Sequence, residues 1–250
     1  MGLNLCCRAM IGTILNVCGI LLGGTIGLTT KKSLSASAEA QLRVMLGAFT
    51  VFVGLRLSWL NLNGSFWPLI KQCIILVLAL MVGKATGRLL GLQKLSNRLG
   101  QRAQQHILAA QESGSPKFAD GFQPCALLFC AAPLGILGAV EDGLSLSRFF
   151  YPLAVKAVIE GFAALGLARV LGWGVLLSAF PVLLLQGTLT LVCAHFLEPF
   201  LTARGLLDSV NAVSGVVIFS IALVMLGLKR IELADYLPSL FFAPVLTWLW

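Results

Sequence analysis

A chain of 250 residues, 58% of them hydrophobic and 11% charged, lies far from a soluble domain, in which about 25% of residues are charged. The formal net charge of +8 does not mark a nucleic-acid binder, because the cations fall in loops beside apolar runs, where an orientation signal and anionic lipid headgroups account for them. The composition is that of an all-α transmembrane helix bundle, read as one membrane domain over 1–250.

Apolar runs of membrane-spanning length are predicted at 10–28, 42–60, 67–90, 124–140, 152–171, 173–197 and 209–228;. The first is expected to be retained rather than cleaved as a signal peptide. Its apolar character continues past Arg8 to Leu28 with no small-residue cleavage site before a polar region;. It carries Asn16 among Gly19, Gly23 and Gly24. Between the third and fourth runs lies the longest polar stretch, a linker at 91–123. Leu92, Leu95, Leu99 and Ile107 fall near one helical face there, opposite Lys94, Arg98 and Arg102;. The spacing predicts an amphipathic helix along the leaflet, with anionic lipid as a partner over 91–117, or alternatively a solvated linker helix.

The fourth run is interrupted by Pro133 and ends at Glu141 and Asp142;. Paired carboxylates at the outer interface would gather cations at an entrance, although Glu-Asp-Gly is also a good helix end and turn, and the turn is the stronger reading. The fifth run holds Lys156 and Glu160, one helical turn apart;. With a rise of about 1.5 Å per residue, Glu160 sits about 12 Å below Pro152. An ionisable group at that depth costs about 2.5–3.5 kcal/mol on insertion scales, so it should face a protein interior or a wet cavity. A neutralised structural ion pair and a functional site are equally weighted readings.

The sixth run is interrupted by Pro181 and by Gln186 next to Gly187, with Thr188 and Thr190 expected to bond back to their own helix;. The seventh opens on Asn211 and Ser214, which suit hydrogen bonds across helices;. An eighth run, Leu237 to Trp250, is short for a perpendicular span but has Trp248 and Trp250 as interface anchors;. Eight spans are expected, the alternative being seven with a re-entrant or interfacial tail.

Orientation follows from the cations. Lys31, Lys32 and Arg43, the group from Lys84 to Lys117, then Arg169, Lys229 and Arg230 share one side and outnumber Arg8, Arg56, Arg148 and Arg204 on the other. That places the 91–123 linker in the cytoplasm and the N-terminus outside. A faint duplication relates 42–55 to 210–223 and Gly19 to Gly187. If real, it joins spans one to three with six to eight and makes an inverted repeat;.

The seven cysteines have no Cys-x-x-Cys spacing, and His106 and His195 have no second ligand at metal spacing, so neither a metal nor another cofactor is expected. No phosphate loop, nucleophile elbow or His-Glu-x-x-His helix is present, so an enzyme is not expected;.

Three segments carry a resemblance. They are the opening MIGTILNVCGILLGGTIGL, the middle LLFCAAPLGILGAVEDGL, and above all KAVIEGFAALGLARVLGWGVLLSAFPVLLLQGTLTL. In their joint order the chain resembles the YqgA/YdfK-like bacterial inner-membrane proteins, catalogued as domain of unknown function 554. The likeness covers nearly the whole chain. Glu160 stands where that family's pattern has aspartate, and Pro133 departs from it. The resemblance implies a multi-pass protein of the bacterial inner membrane, loosely linked to biofilm behaviour, with no transport substrate and no catalytic residues to carry over.

The leading expectation is a secondary transporter or permease for a small solute or ion, with Lys156, Glu160, Asn16 and Gln186, and further Asn211, lining a polar midplane site. The competing one is a non-transporting membrane scaffold or regulator; either is compatible with a homo-oligomer, and neither calls for nucleic acid. Convergence of Glu160, Asn16 and Gln186 would favour transport.

Overall fold

The computed structural model describes residues 10–30, 35–62, 64–112, 118–144 and 150–250. Expectations placed on residues 1–9, Lys31, Lys32, the 113–117 connection and Arg148 lie outside the described residues. The elements are α1 (Ile11–Thr29), α2 (Ala36–Asn61), α3 (Phe66–Leu90), α4 (Leu92–Glu112), α5 (Phe118–Cys130), α6 (Pro133–Leu144), α7 (Tyr151–Leu171), α8 (Gly174–Leu177), α9 (Ala179–Val192), α10 (Glu198–Ala203), α11 (Leu207–Met225) and α12 (Ser239–Leu249). A π-helical turn, Cys193–Leu197, joins α9 to α10, and a 3-10 turn, Leu233–Tyr236, precedes α12.

The protein is all-α. Among the described residues, five helical segments are long and apolar enough to cross a membrane, and the pair α5–α6, bent by 60°, makes a sixth if counted as one span. Their outer faces carry large apolar side chains such as Phe52, Val77, Met81 and Leu184, all exposed as only hydrocarbon would allow;. α7 is not among the five, and the segment Leu233–Leu249 is shorter.

The chain groups into two compact units, 1–35 with 95–194 and 36–94 with 195–250. In the first, α1 and α7 run parallel. Gly19, Gly23 and Gly27, four residues apart, place bare backbone against Ala157, Gly161 and Leu165 in the same order, the close approach that small-xxx-small spacing permits in lipid;. α9 runs antiparallel to α1, as Thr13 meets Thr190 and Asn16 meets Gln186. α6 runs antiparallel to α7, with Gly138 against Leu153 and Gly135 against Lys156. A core of Ile20, Cys125, Phe129, Ala164, Ala168, Val175 and Val182 fills the space between them. The inner face of α4 joins it through Ala110 and Ile107, while Leu95, Arg98 and Arg102 are exposed.

In the second unit, α2 and α11 pack antiparallel, with Gly54 against Gly215 and Phe219, and Ser58 donating to the Ala212 carbonyl at 3.1 Å. α3 and α12 do likewise. Gly83 meets Ser239, Gly87 meets Asp235, and Lys71 donates to the carbonyl of Trp250, so the terminal segment accompanies α3 over most of its length. Trp59, Trp67, Trp248 and Trp250 are exposed at one end of this unit, and Lys84, Arg88, Lys229 and Arg230 lie at the other.

The interruption expected at Pro133 is present. The run 124–140 is not a straight span but two helices meeting at Ala131 and Ala132, because Pro133 has no N–H and can only begin a helix at this point;. Pro181 follows a shorter break, the single turn residue Ser178 between α8 and α9. It occupies the first turn of α9, where N–H groups have no intrahelical acceptor;. The linker 91–123 is largely helical, and α5 begins within it.

Candidate functional site

The bend between α5 and α6 creates the site. In an unbroken helix the carbonyl of Phe129 would accept from the N–H of residue 133, and proline supplies none. That orphaned carbonyl is buried, where an unpaired acceptor costs about 1–3 kcal/mol. It accepts from Lys156 Nζ of α7 at 3.0 Å. Lys156 is 1% exposed and also makes an ion pair with Glu160, 4% exposed, one turn along the same helix. Insertion cost is thereby offset by a neutral pair whose donors and acceptors are engaged.

Asn16 of α1 ties this pair to a third helix. Its Nδ2 donates to Glu160 Oε2 at 2.9 Å and to Gln186 Oε1 of α9 at 3.1 Å. Asn16 and Gln186 are 0% and 2% exposed. Each keeps one buried polar atom without a hydrogen-bond partner, Asn16 Oδ1 as acceptor and Gln186 Nε2 as donor. Gly135, in the first turn of α6, faces the same place. A Cβ there would stand 2.7 Å from Lys156 Cε and 3.0 Å from Gln186 Nε2. Four of the residues singled out in the sequence, Lys156, Glu160, Asn16 and Gln186, are therefore in one network. Phe129 and Gly135 escaped notice because neither contributes a polar side chain. Pro133 was the available signal for the first of them.

The remaining candidates lie elsewhere. Glu141 and Asp142, expected at the outer interface as entrance groups or a turn, are both fully buried on α6. The glycines of α6 let neighbouring backbone close in, with Gly138 against Leu153 and Gly143 against Thr190 and Ala194, and this encloses the carboxylates. Asp142 Oδ2 accepts from the backbone N–H groups of Gly12 (2.9 Å) and Thr13 (3.4 Å), capping the first turn of α1 from another helix;. Thr190 does not bond back to its own helix. Its hydroxyl donates to the carbonyl of Ala139 at 3.1 Å, linking α9 to α6. Asn211 belongs to the second unit and donates to Asn61 Oδ1 at 3.1 Å, beside a cavity of about 60 Å³ lined in part by Asn61, Gln72, Asp208 and Thr247. The Ser214 hydroxyl is buried without a partner. Among the described residues no group of His, Cys, Asp and Glu side chains could hold a metal ion.

A family model described as "Protein of unknown function (DUF554)" matches residues 11–248. The "Uncharacterized membrane protein YdfK" of Bacillus subtilis (strain 168) is 28% identical over 236 residues, covering 94% of this chain and 95% of that protein. The "Uncharacterized protein YqgA" of Escherichia coli (strain K12) is 26% identical over 245 residues, with coverages of 96% and 97%. No solved structure matches.

Proposed function

The chain belongs to the DUF554 family of membrane proteins of unknown function, and from that premise we propose that it is a secondary transporter or permease for a small solute or ion. One observation carries this reading. Asn16 bonds Glu160 and Gln186 at once, so that α1, α7 and α9 meet around ionisable groups beside a broken helix, which is where transporters build their sites;. Charges kept inside a bundle at this cost call for a use beyond packing.

Further support comes from helix direction. α1 and α7 are parallel, so an odd number of crossings separates them. With α2 and α3 crossing and α4 lying along the surface, the bent pair α5–α6 counts as one crossing. The antiparallel pairing of α3 with the terminal segment supports an eighth. The three helix pairs that a duplication would relate, α1 with α9, α2 with α11 and α3 with α12, are each antiparallel, as inverted copies require;. We place the protein in the bacterial inner membrane with the N-terminus outside and α4 on the cytoplasmic face, where Arg98 and Arg102 would meet anionic headgroups. In a cysteine-free background, Arg98→Cys should escape a membrane-impermeant thiol reagent in intact cells. Strong labelling would reverse the topology.

The transport reading is tested by uptake into proteoliposomes, screened over organic acids, amino acids and monovalent ions, with Glu160→Gln as the control. Wild-type uptake of at least one solute, altered by Glu160→Gln, is expected. If no solute moves across the screen, the second reading takes its place, a scaffold or regulator linked to surface or biofilm behaviour. The exposed cationic edge of α4 is the observation that favours it. No enzymatic role is proposed.

A further inference from the structure

We propose that the first turn of α6, Lys156 and Gln186 form the binding place for the carboxylate of a small organic acid, which replaces Glu160 as the lysine's partner while Glu160 takes up a proton. This deepens the transport reading and rests on it for the coupling of proton and solute, but not for the binding itself.

The two orphaned atoms carry the inference. Gln186 Nε2 is a buried donor without an acceptor, and it stands 3.0 Å from the Cβ position of Gly135 in the first turn of α6. Lys156 Nζ lies 3.4 Å from that same position. A side-chain amide donor and an ammonium thus converge on the N-terminal turn of a twelve-residue helix, whose dipole favours negative charge; Lys156 Cε fills the space beside Gly135, so the lysine side chain swings aside as the anion enters;. Among the described residues, the carboxylate on the lysine is that of Glu160, which serves there as an internal stand-in for the solute. Asn16 Oδ1 is the complementary orphan, an acceptor without a donor beside Glu160 Oε2. Once protonated, Glu160 carries a hydroxyl that needs an acceptor, and rotation of the Asn16 amide presents one. Each unsatisfied atom therefore suits one of the two arriving species.

Charge balances in the exchange. One proton enters on Glu160, one anion enters on Lys156, and the buried site stays neutral throughout, so the desolvated interior never holds an uncompensated charge. The sign follows directly: lower pH protonates Glu160, releases the lysine and favours the anion. The groups facing this exchange are few. Lys156 lies on the same helix, and the neutral thiol of Cys130 on α5 lies near the pair. On α6, Asp142 is turned to the backbone of Gly12 and Thr13, and Glu141 lies toward Cys193. α1 and α9 bring only the amides of Asn16 and Gln186 to the pair.

The test is equilibrium binding of radiolabelled pyruvate to the full chain in detergent across the acid-to-neutral range, with rubidium and methylammonium as cation probes and proteoliposome uptake alongside. Wild-type affinity for pyruvate should weaken about tenfold per pH unit where Glu160 is ionised in the empty protein, because one proton accompanies each anion. Glu160→Gln should bind pyruvate with no such slope, and more tightly than wild type at the alkaline end. Gln186→Leu should lose about tenfold or more of the affinity. The double variant Lys156→Met with Glu160→Gln, which strands no charge, should remain folded and fail to bind. Pyruvate binding with a flat pH profile in the wild type overturns the exchange. Failure to bind pyruvate overturns the proposal whether or not the cations bind, and Glu160-dependent rubidium or methylammonium uptake in that case leaves the transport reading standing. Pyruvate binding with the expected slope but no uptake of any solute supports the site and sinks the transport reading alone.

Discussion

Lys156→Met is expected to destabilise the protein in detergent by about 3–5 kcal/mol, the cost of removing one partner of a buried pair. It deprives both the Glu160 carboxylate and the Phe129 carbonyl of a donor. Glu160→Gln should cost less, since the lysine keeps the Phe129 carbonyl. The double variant should recover most of the loss, because no charge remains to be neutralised. Thermal unfolding followed by light scattering or intrinsic fluorescence reads all three. Losses that simply add would mean the two side chains do not interact. A stable double variant that no longer moves solute places function in the pair, and a stable, active one makes the pair dispensable scaffolding.

Gly23→Ala should be nearly as damaging, at about 3 kcal/mol, the upper end of what overpacking costs. A methyl there runs into the carbonyl of Gly161, which is backbone in the middle of α7 and cannot swing aside. α1 would have to move off α7, carrying Asn16 away from Glu160, so any solute uptake should fall together with thermal stability. Gly166→Ala on α7 is the control. Nothing lies within 4 Å of its Cβ position, and relief of glycine's conformational entropy should leave stability equal or raised by about 0.5–1 kcal/mol;. Equal melting of Gly23→Ala and wild type would show that α1 and α7 are not held by this stripe.

Local relations were legible in the sequence and distant ones were not. Lys156 and Glu160 could be read as a pair because one turn of helix fixes their separation. Asn16 and Gln186 stood out because a polar amide in an apolar run must find a partner. What no spacing encodes is which helix brings that partner. Asn211 has the same chemistry as Asn16, yet α11 pairs with α2, so its amide meets Asn61 instead of the charged pair. Asp142 follows a run of apolar residues and precedes a glycine, which by local rules ends a helix at the interface. Its burial depends on the first turn of α1, whose backbone donors arrive from 130 residues away. The bend at Pro133 was foreshadowed by the residue type, but its partner could not be, since the acceptor it releases belongs to the backbone.

That released acceptor has an evolutionary corollary. The group that holds the lysine is the carbonyl of Phe129, and every amino acid at position 129 would offer the same oxygen. Drift in the side chain there can change packing but cannot delete the anchor. The determinant is written four residues downstream, in a ring that offers no N–H to claim the oxygen;. Any residue with an N–H at position 133 could reclaim the oxygen for a continuous helix and so compete for it. A search for the lysine's anchor among polar side chains alone would therefore miss it entirely.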